Sequence, residues 1–211
     1  MGHPVYSPDE FARALDVSRE TMARLKLYVS LLAEWNTRHN LVAARSLEDA
    51  WRRHVLDSAQ LLRLIPEGAA TLVDLGSGAG FPGMVLALMN PAIKVTLVEA
   101  TAKKTRFLSE VARRTGTDVD IRTVRIEDCK PERLDVITAR ACAPLGRLLF
   151  YAQRFVGSGS VCLFLKGQNV GSELTATPDS WRMELKHHKS LSDPSGTILE
   201  VRLAPHERHA G

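Results

Sequence analysis

The chain has 211 residues, 28 of them basic and 24 acidic, for a formal charge of +4. Hydrophobic residues make up 45% and charged residues 25%, which excludes a disordered or fibrous protein. This length suits one domain of fair size, or one with a small appendage, and buries a core without covalent staples. Met1-Gly2-His3-Pro4 has no charged start followed by an apolar stretch, so no secretory signal is expected. Ser7-Pro8-Asp9-Glu10 is a helix start, with Ser7 as N-cap and Glu10 closing a capping box. A second helix begins near Ser18, where Met22, Leu25, Val29 and Leu32 recur at spacings of three and four and Trp35 continues the face. A third is expected after Ser46, through Trp51, Val55, Leu56, Ala59 and Leu62, until Pro66-Glu67-Gly68 breaks it. These elements form an expected N-terminal helical cap over residues 1–66.

After residue 70 the rhythm changes. Strands are expected at Thr71–Leu75, Lys94–Glu99, Asp120–Val124, Asp135–Ala139 and Ser160–Leu165, with helical stretches near 82–90, 101–115 and 144–155. Strand and helix in alternation imply βαβ units and a parallel sheet with helices on both faces. Trp181–Lys186 and Thr197–Leu203 are two further strands around an Asp193-Pro194-Ser195-Gly196 turn. The longest apolar runs, such as Met84 to Met89, are far too short to span a bilayer, and no membrane association is expected. Cys129, Cys142 and Cys162 show no C-x-x-C spacing, so neither a disulfide framework nor a structural metal is expected, and a reducing compartment is. The reading is a soluble, cytoplasmic monomer.

Asp74-Leu75-Gly76-Ser77-Gly78-Ala79-Gly80-Phe81-Pro82-Gly83 follows the first strand and opens a helix. Glycines let the backbone turn tightly and a ligand come close. In an open α/β sheet this is where ligands sit. Gly78-Ala79-Gly80-Phe81-Pro82-Gly83 fits G-x-G-x-x-G, and Glu99 lies 21 residues after Gly78, as a ribose-binding acid would. That is a dinucleotide reading, and with it a nicotinamide-dependent oxidoreductase. Against it, Gly76 comes first after the strand, and Asp74 at the strand end would repel a pyrophosphate. A cationic ligand tolerates that acid better, and S-adenosylmethionine is one. Asp-x-Gly-x-Gly-x-Gly, with an acid ending the second strand, resembles the first two motifs of the Rossmann-like methyltransferases. Glu99 would then accept both ribose hydroxyls through its paired oxygens.

Asn40-Leu41-Val42, Arg53-His54-Val55-Leu56-Asp57-Ser58, the Val73–Gly83 block, Lys103-Lys104 with Arg106-Phe107-Leu108, Arg140-Ala141, and Leu165-Lys166-Gly167-Gln168 stand in the order of the RsmG (GidB) family. The chain resembles that family over about residues 30 to 170, and only loosely in the first helix and last 40 residues. The resemblance implies a class I S-adenosylmethionine-dependent methyltransferase that modifies N7 of a guanine in 16S ribosomal RNA, free or in the small ribosomal subunit. It implies a seven-stranded, mostly parallel Rossmann-like sheet over residues 67–211, packed with the cap as one unit and with a reversed strand near the end. Gly76, Phe81, Ile126, Glu127 and Arg140 match the family's cofactor-contacting positions, although the family often has Ala-Glu or Val-Glu where this chain has Ile126-Glu127. With Asp74, Gly78, Gly80 and Glu99 they make the expected cofactor site. Arg53, Lys103, Lys104, Arg106 and Lys166 are the candidate RNA contacts.

Guanine N7 carries a lone pair and no proton, so in-line placement suffices and no general base is expected. Ala139-Arg140-Ala141-Cys142-Ala143-Pro144 stands where amino-methylating enzymes carry Asn/Asp-Pro-Pro-Tyr/Phe, which argues against that chemistry. Cys142 could be a nucleophile for C5 methylation, or a small buried thiol. His54, Asp57 and Ser58 can meet on one helix, but no strand-turn-helix elbow presents Ser58. A non-catalytic RNA-binding assembly factor on a cofactor fold is the remaining alternative.

Overall fold

The computed structural model describes residues 6–178 and 181–203; the Met1–Pro4 reading lies outside them. Helix α1 (Pro8–Leu15) starts on the expected capping box, with Ser7 and Glu10 each accepting the other's backbone N–H. Helix α2 (Arg19–His39) is capped by Ser18 and stops at Asn40, whose left-handed backbone suits asparagine. Its buried face is Met22, Leu25, Tyr28, Leu31, Leu32 and Asn36, so Tyr28 takes the place expected of Val29, which is only half-buried.

The expected third helix is a helical run of changing pitch. It comprises α3 (Ala44–Leu47), a wide π-turn at Trp51–Leu56, α4 (Asp57–Ala59) and a 3-10 turn at Gln60–Leu64. Ser46 lies inside α3 rather than ahead of it. Apolar spacing marks the buried face of such a run but not its pitch.

The sheet has seven strands in the order β3-β2-β1-β4-β5-β7-β6. These are β1 (Thr71–Leu75), β2 (Lys94–Val98), β3 (Val119–Arg122), β4 (Leu134–Arg140), β5 (Val156–Lys166), β6 (Met183–Lys189) and β7 (Thr197–Leu203). The first five are parallel; β7 runs against both β5 and β6. The reversed strand is as expected. Strand β6 reaches three residues further than expected, through His187, His188 and Lys189. Pairing with Thr197, Ile198 and Leu199 supplies its backbone hydrogen bonds whatever its side chains. Strand order turns back at β1, and ligands gather at the carboxyl ends beside such a point.

Helices α5 (Gly83–Met89), α6 (Ala102–Thr115) and α7 (Leu145–Ala152) follow β1, β2 and β4 as expected; α8 (Val170–Thr175) and a 3-10 turn at Ile126–Asp128 were not foreseen. The period-2 alternation of the strands feeds two cores. Leu72, Leu97, Val136 and Leu163 pack under α5, α6 and the cap side chains Phe11, Leu25, Tyr28 and Leu32. Val73, Leu75, Ile137 and Phe164 pack with Leu148, Leu149 and Phe155 on the other face. The cap thus covers one face of the sheet beside α5 and α6.

Candidate active site

The loop after β1 is tied down from inside. Register places Asp74 opposite Thr138 on β4. Asp74 has no exposed surface: Oδ1 accepts from Thr138 Oγ1 at 2.8 Å and Oδ2 accepts from the Gly83 N–H at 3.1 Å. Burial raises its pKa to about 6, against the lowering pull of those donors. Any favour Asp74 shows the ligand's cationic parts therefore acts from beneath the loop and not by direct exposure. The side chain points under α5 and fixes the start of that helix. It also occupies the first amide of α5, where a dinucleotide's pyrophosphate would be held.

Ser77, also buried, donates its backbone N–H to the Val98 carbonyl at 3.0 Å and accepts the Gly80 N–H at 2.7 Å. Gly80 has φ +98°, and a Cβ there would lie 2.6 Å from the Tyr28 hydroxyl and 2.8 Å from Met84 Cβ. At Gly78, φ is +60° and a Cβ would meet nothing closer than 3.8 Å. The loop is thus closed by protein at Gly80 and open at Gly78, where a ligand can reach the backbone. Gly76 passes close to Cys142, in the loop after β4.

Glu99 follows β2 and is 7% exposed. Its Oε2 accepts the Gly78 N–H at 3.0 Å and its Oε1 the Thr101 N–H at 2.8 Å, with Lys104 Nζ 3.8 Å away. Each oxygen keeps a second lone pair. Ile126 is buried, and Glu127 is half-exposed with Oε1 accepting from the Tyr151 hydroxyl at 2.8 Å and Arg147 Nη2 at 3.2 Å. Backbone and Tyr151 hydrogen bonds lower the Glu127 pKa, so it stays ionised.

The opposite wall comes from the cap. Phe81 stacks with Tyr28 at 5.2 Å and with His54 at 4.8 Å between ring centroids. Tyr28 donates its hydroxyl proton to the Ala79 carbonyl, joining α2 to the glycine loop. Arg140, at the end of β4, lies over the Phe81 ring with 5.0 Å from guanidinium to centroid. Its Nη1 donates to the Arg53 carbonyl at 2.8 Å and to Asp57 Oδ2 at 3.3 Å, and its Nη2 donates to His54 Nδ1 at 3.0 Å. Arginine only donates, so His54 Nδ1 is the acceptor and Nε2 carries the proton. That proton goes to Ser46 Oγ, 2.8 Å away, which donates onward to the Ala43 carbonyl at 2.6 Å. Burial, then the Arg140 and Arg53 charges, depress the His54 pKa to about 3.

His54, Asp57 and Ser58 do not form a hydrolytic triad. Ser58 Oγ donates to the His54 backbone carbonyl at 2.7 Å, and Asp57 Oδ1 accepts from Ser192 Oγ at 2.5 Å. Cys142 is half-buried with its pKa raised to about 11, chiefly by burial and then by Asp74 and Glu99, so the thiol is not a ready nucleophile. Lys166, expected as an RNA contact, is engaged within the protein. Its side chain is 8% exposed, and Nζ sits 2.5 Å from Glu173 Oε2 while donating to the Ala143 carbonyl at 3.1 Å. Helix α8, which is too short to show a period in the sequence, supplies that glutamate. Arg53, Lys103 and Arg106 are exposed; Lys104 is half-buried beside Glu99. Tyr28, Thr138 and Ser192 were missed. For Tyr28 a signal existed: it sits at the same helical spacing as Leu25 and Leu32.

Residues 21–199 match the model of the GidB family, described as rRNA small subunit methyltransferase G. The chain is 50% identical over 195 residues to the ribosomal RNA small subunit methyltransferase G of Paramagnetospirillum magneticum, covering 92% of this chain and 95% of the relative. It is 46% identical over 209 residues to the protein of that name from Rhodospirillum centenum, covering 99% and 96%. Among solved structures, an O-methyltransferase from Klebsiella pneumoniae, itself of unproven activity, superposes with a TM-score of 0.61 at 16% identity, over 93% of this chain and 96% of that one. That likeness shows a shared methyltransferase fold. With a family match across most of its length, and the glycine loop and acid of that fold in place, this chain belongs to the GidB family of rRNA small subunit methyltransferases G.

Proposed function

We propose that the protein transfers the methyl group of S-adenosylmethionine to N7 of one specific guanine in 16S ribosomal RNA, working as a monomer in the cytoplasm. The observation that carries this reading is the Glu99 carboxylate bound to the open Gly78 backbone at the carboxyl end of β2. When bound, S-adenosylmethionine supplies an electrophilic methyl carbon on a sulfonium. Glu99 holds the ribose hydroxyls with the lone pairs its two backbone donors leave free. Gly76, Gly78 and Gly80 shape the space above the loop, and Phe81 contributes backbone, since its ring is enclosed by Tyr28 and His54. Ile126 covers the adenine side and Glu127 borders it. Asp74 acts through the loop, as a positioning residue.

No side chain has to take a proton from N7. The groups near the crevice fit that demand: His54 Nδ1 is occupied by Arg140, and the Cys142 thiol titrates near 11. Catalysis then rests on orientation: Arg140 borders the cofactor without anchoring it and orients the base. Arg53, Lys103 and Arg106 are the exposed cations left for phosphate contact. The cap and the Rossmann-like core work as one folding unit, because Phe11, Leu25, Tyr28 and Leu32 share a core with Leu72, Leu97 and Val136.

The test uses small subunits from a bacterium that lacks its own copy of the enzyme. They are incubated with the protein and radiolabelled S-adenosylmethionine, and the labelled nucleoside is identified by mass spectrometry. Label in 7-methylguanosine at one position is expected. Label in another nucleoside would overturn the choice of atom, and binding without turnover would leave an assembly factor.

A further inference from the structure

Among the described residues two large apolar side chains stand in water: Phe150 on α7, 56% exposed, and Leu191 in the β6–β7 turn, 53% exposed. A single exposed apolar residue is ordinary. What sets Leu191 apart is how its backbone is held and where.

The Leu191 N–H donates to Gln60 Oε1 at 2.7 Å. Ser192 Oγ donates to Asp57 Oδ1 at 2.5 Å, and Arg63 Nη2 donates to the Lys189 carbonyl at 3.1 Å. Three residues of the 57–64 helical segment thus fix the turn. They leave the Leu191 side chain projecting from an ordered backbone. Strand β6 runs parallel to β1 through β5, so its Lys189 end lies at the same rim as the glycine loop. Asp57 measures how close the turn comes to the crevice. One of its oxygens takes the Ser192 hydroxyl and the other takes Arg140 Nη1 at 3.3 Å, and Arg140 lies over Phe81. Arg53 and Lys189 are both exposed, Lys189 two residues before Leu191, and the Arg53 charge is felt by Asp193 in the same turn.

An exposed apolar tip with cations in its neighbourhood, at the rim that carries the glycine loop, has the chemistry of a wedge. A base inside structured RNA must leave its stack before its edge can meet the methyl group. An apolar side chain that enters the vacated step lowers that cost, and flanking cations take the neighbouring phosphates. We propose that Leu191 is a positioning residue that fills the gap in the ribosomal RNA stack when the target guanine turns into the crevice, with Arg53 and Lys189 on the flanking phosphates. The proposal rests on the reading that this chain methylates a base in ribosomal RNA.

Leu191→Ala and Leu191→Met are compared with the parent on unmodified small subunits under single-turnover conditions. Leu191 is exposed, so both variants should fold. We expect Leu191→Ala to slow methylation by about tenfold or more, because the unstacked step is left unfilled. Leu191→Met, which restores a long apolar side chain, should stay within about threefold of the parent, and calorimetry should find S-adenosylmethionine affinity within about twofold for both. A fragment of the RNA with 2-aminopurine at the mapped target should brighten on binding the parent and not Leu191→Ala. Parent-like methylation by Leu191→Ala would overturn the wedge, as would equal losses in both variants with weakened cofactor binding. A change of oligomeric state in Leu191→Ala would overturn it too, in favour of a contact with a second copy. A parent that labels no guanine would instead overturn the functional reading beneath it.

Discussion

Two walls of one crevice are built in different ways. The glycine-loop part is mostly local: Asp74, Gly78, Gly80 and Glu99 lie within 26 residues of one another, and nearby backbone amides bond both carboxylates, with the Thr138 hydroxyl the one distant donor. The cap wall is assembled from afar. Arg140 reaches residues 53, 54 and 57, and Asp57 reaches Ser192 across 135 positions. The first wall needs a short motif. The second needs the whole fold, and no segment of chain contains it. On the proposed reading, this division predicts that holding the cofactor and presenting the RNA are perturbed separately.

The largest expected effect comes from closing the loop at its enclosed end. Gly80→Ala places a methyl against the Tyr28 hydroxyl and Met84 at φ +98°, and should cost about 3 kcal/mol. Thermal denaturation should show a melting point lower by roughly 9 °C. Next, Glu99→Ala removes both acceptors of the proposed ribose site. Calorimetry should find S-adenosylmethionine binding weakened about 100-fold, two charged hydrogen bonds being worth ~3 kcal/mol. On the other wall, Asp57→Asn loosens Arg140 while its amide oxygen still accepts Ser192. Cofactor affinity should stay within about threefold, and the single-turnover rate on small subunits should fall about tenfold. A cofactor affinity that collapsed in Asp57→Asn would erase the division between the walls.

The smallest effect is on stability against pH. His54 has a folded pKa near 3 against an ordinary 6.5. Below about pH 6.5 the unfolded chain takes up a proton that folded His54 refuses. Stability present above that pH is therefore lost as pH falls, by about 1.4 kcal/mol per unit. Asp74 works the other way. Its folded pKa, near 6 rather than 3.8, means its contribution is full below 3.8 and lost as pH rises through 6. Comparing the parent with His54→Asn isolates the histidine. In urea unfolding, the parent's advantage should shrink by about 1 kcal/mol between pH 7 and pH 5.5. An unchanged advantage would mean that His54 is not held neutral.

The same division explains what could be read in the sequence. Helix starts at Ser7 and Ser18, five parallel strands and the glycine loop all announce themselves through caps, alternation and turn residues, while the reversed strand followed from the family resemblance. Lys166 and Asp74 were harder to read because sequence shows a charge and not its partner. Glu173 comes from an unforeseen six-residue helix, and Thr138 arrives by strand register. Arg140 was legible as a strand-end cation, but its aim depends on His54, Asp57 and Phe81, which meet only in the folded chain. His54 and Asp57 invited a triad because helical spacing says that they are near, while the tautomer was fixed by Ser46 and Arg140 from outside that helix.

The most direct test of the account pairs two readouts on two variants. Glu99→Ala and Asp57→Asn are each assayed for S-adenosylmethionine affinity by calorimetry and for single-turnover formation of 7-methylguanosine on small subunits at saturating cofactor. The account predicts that Glu99→Ala loses affinity and recovers much of its rate at high cofactor, while Asp57→Asn binds cofactor normally and stays slow. The reverse pattern, or two variants impaired alike in both readouts, would contradict it.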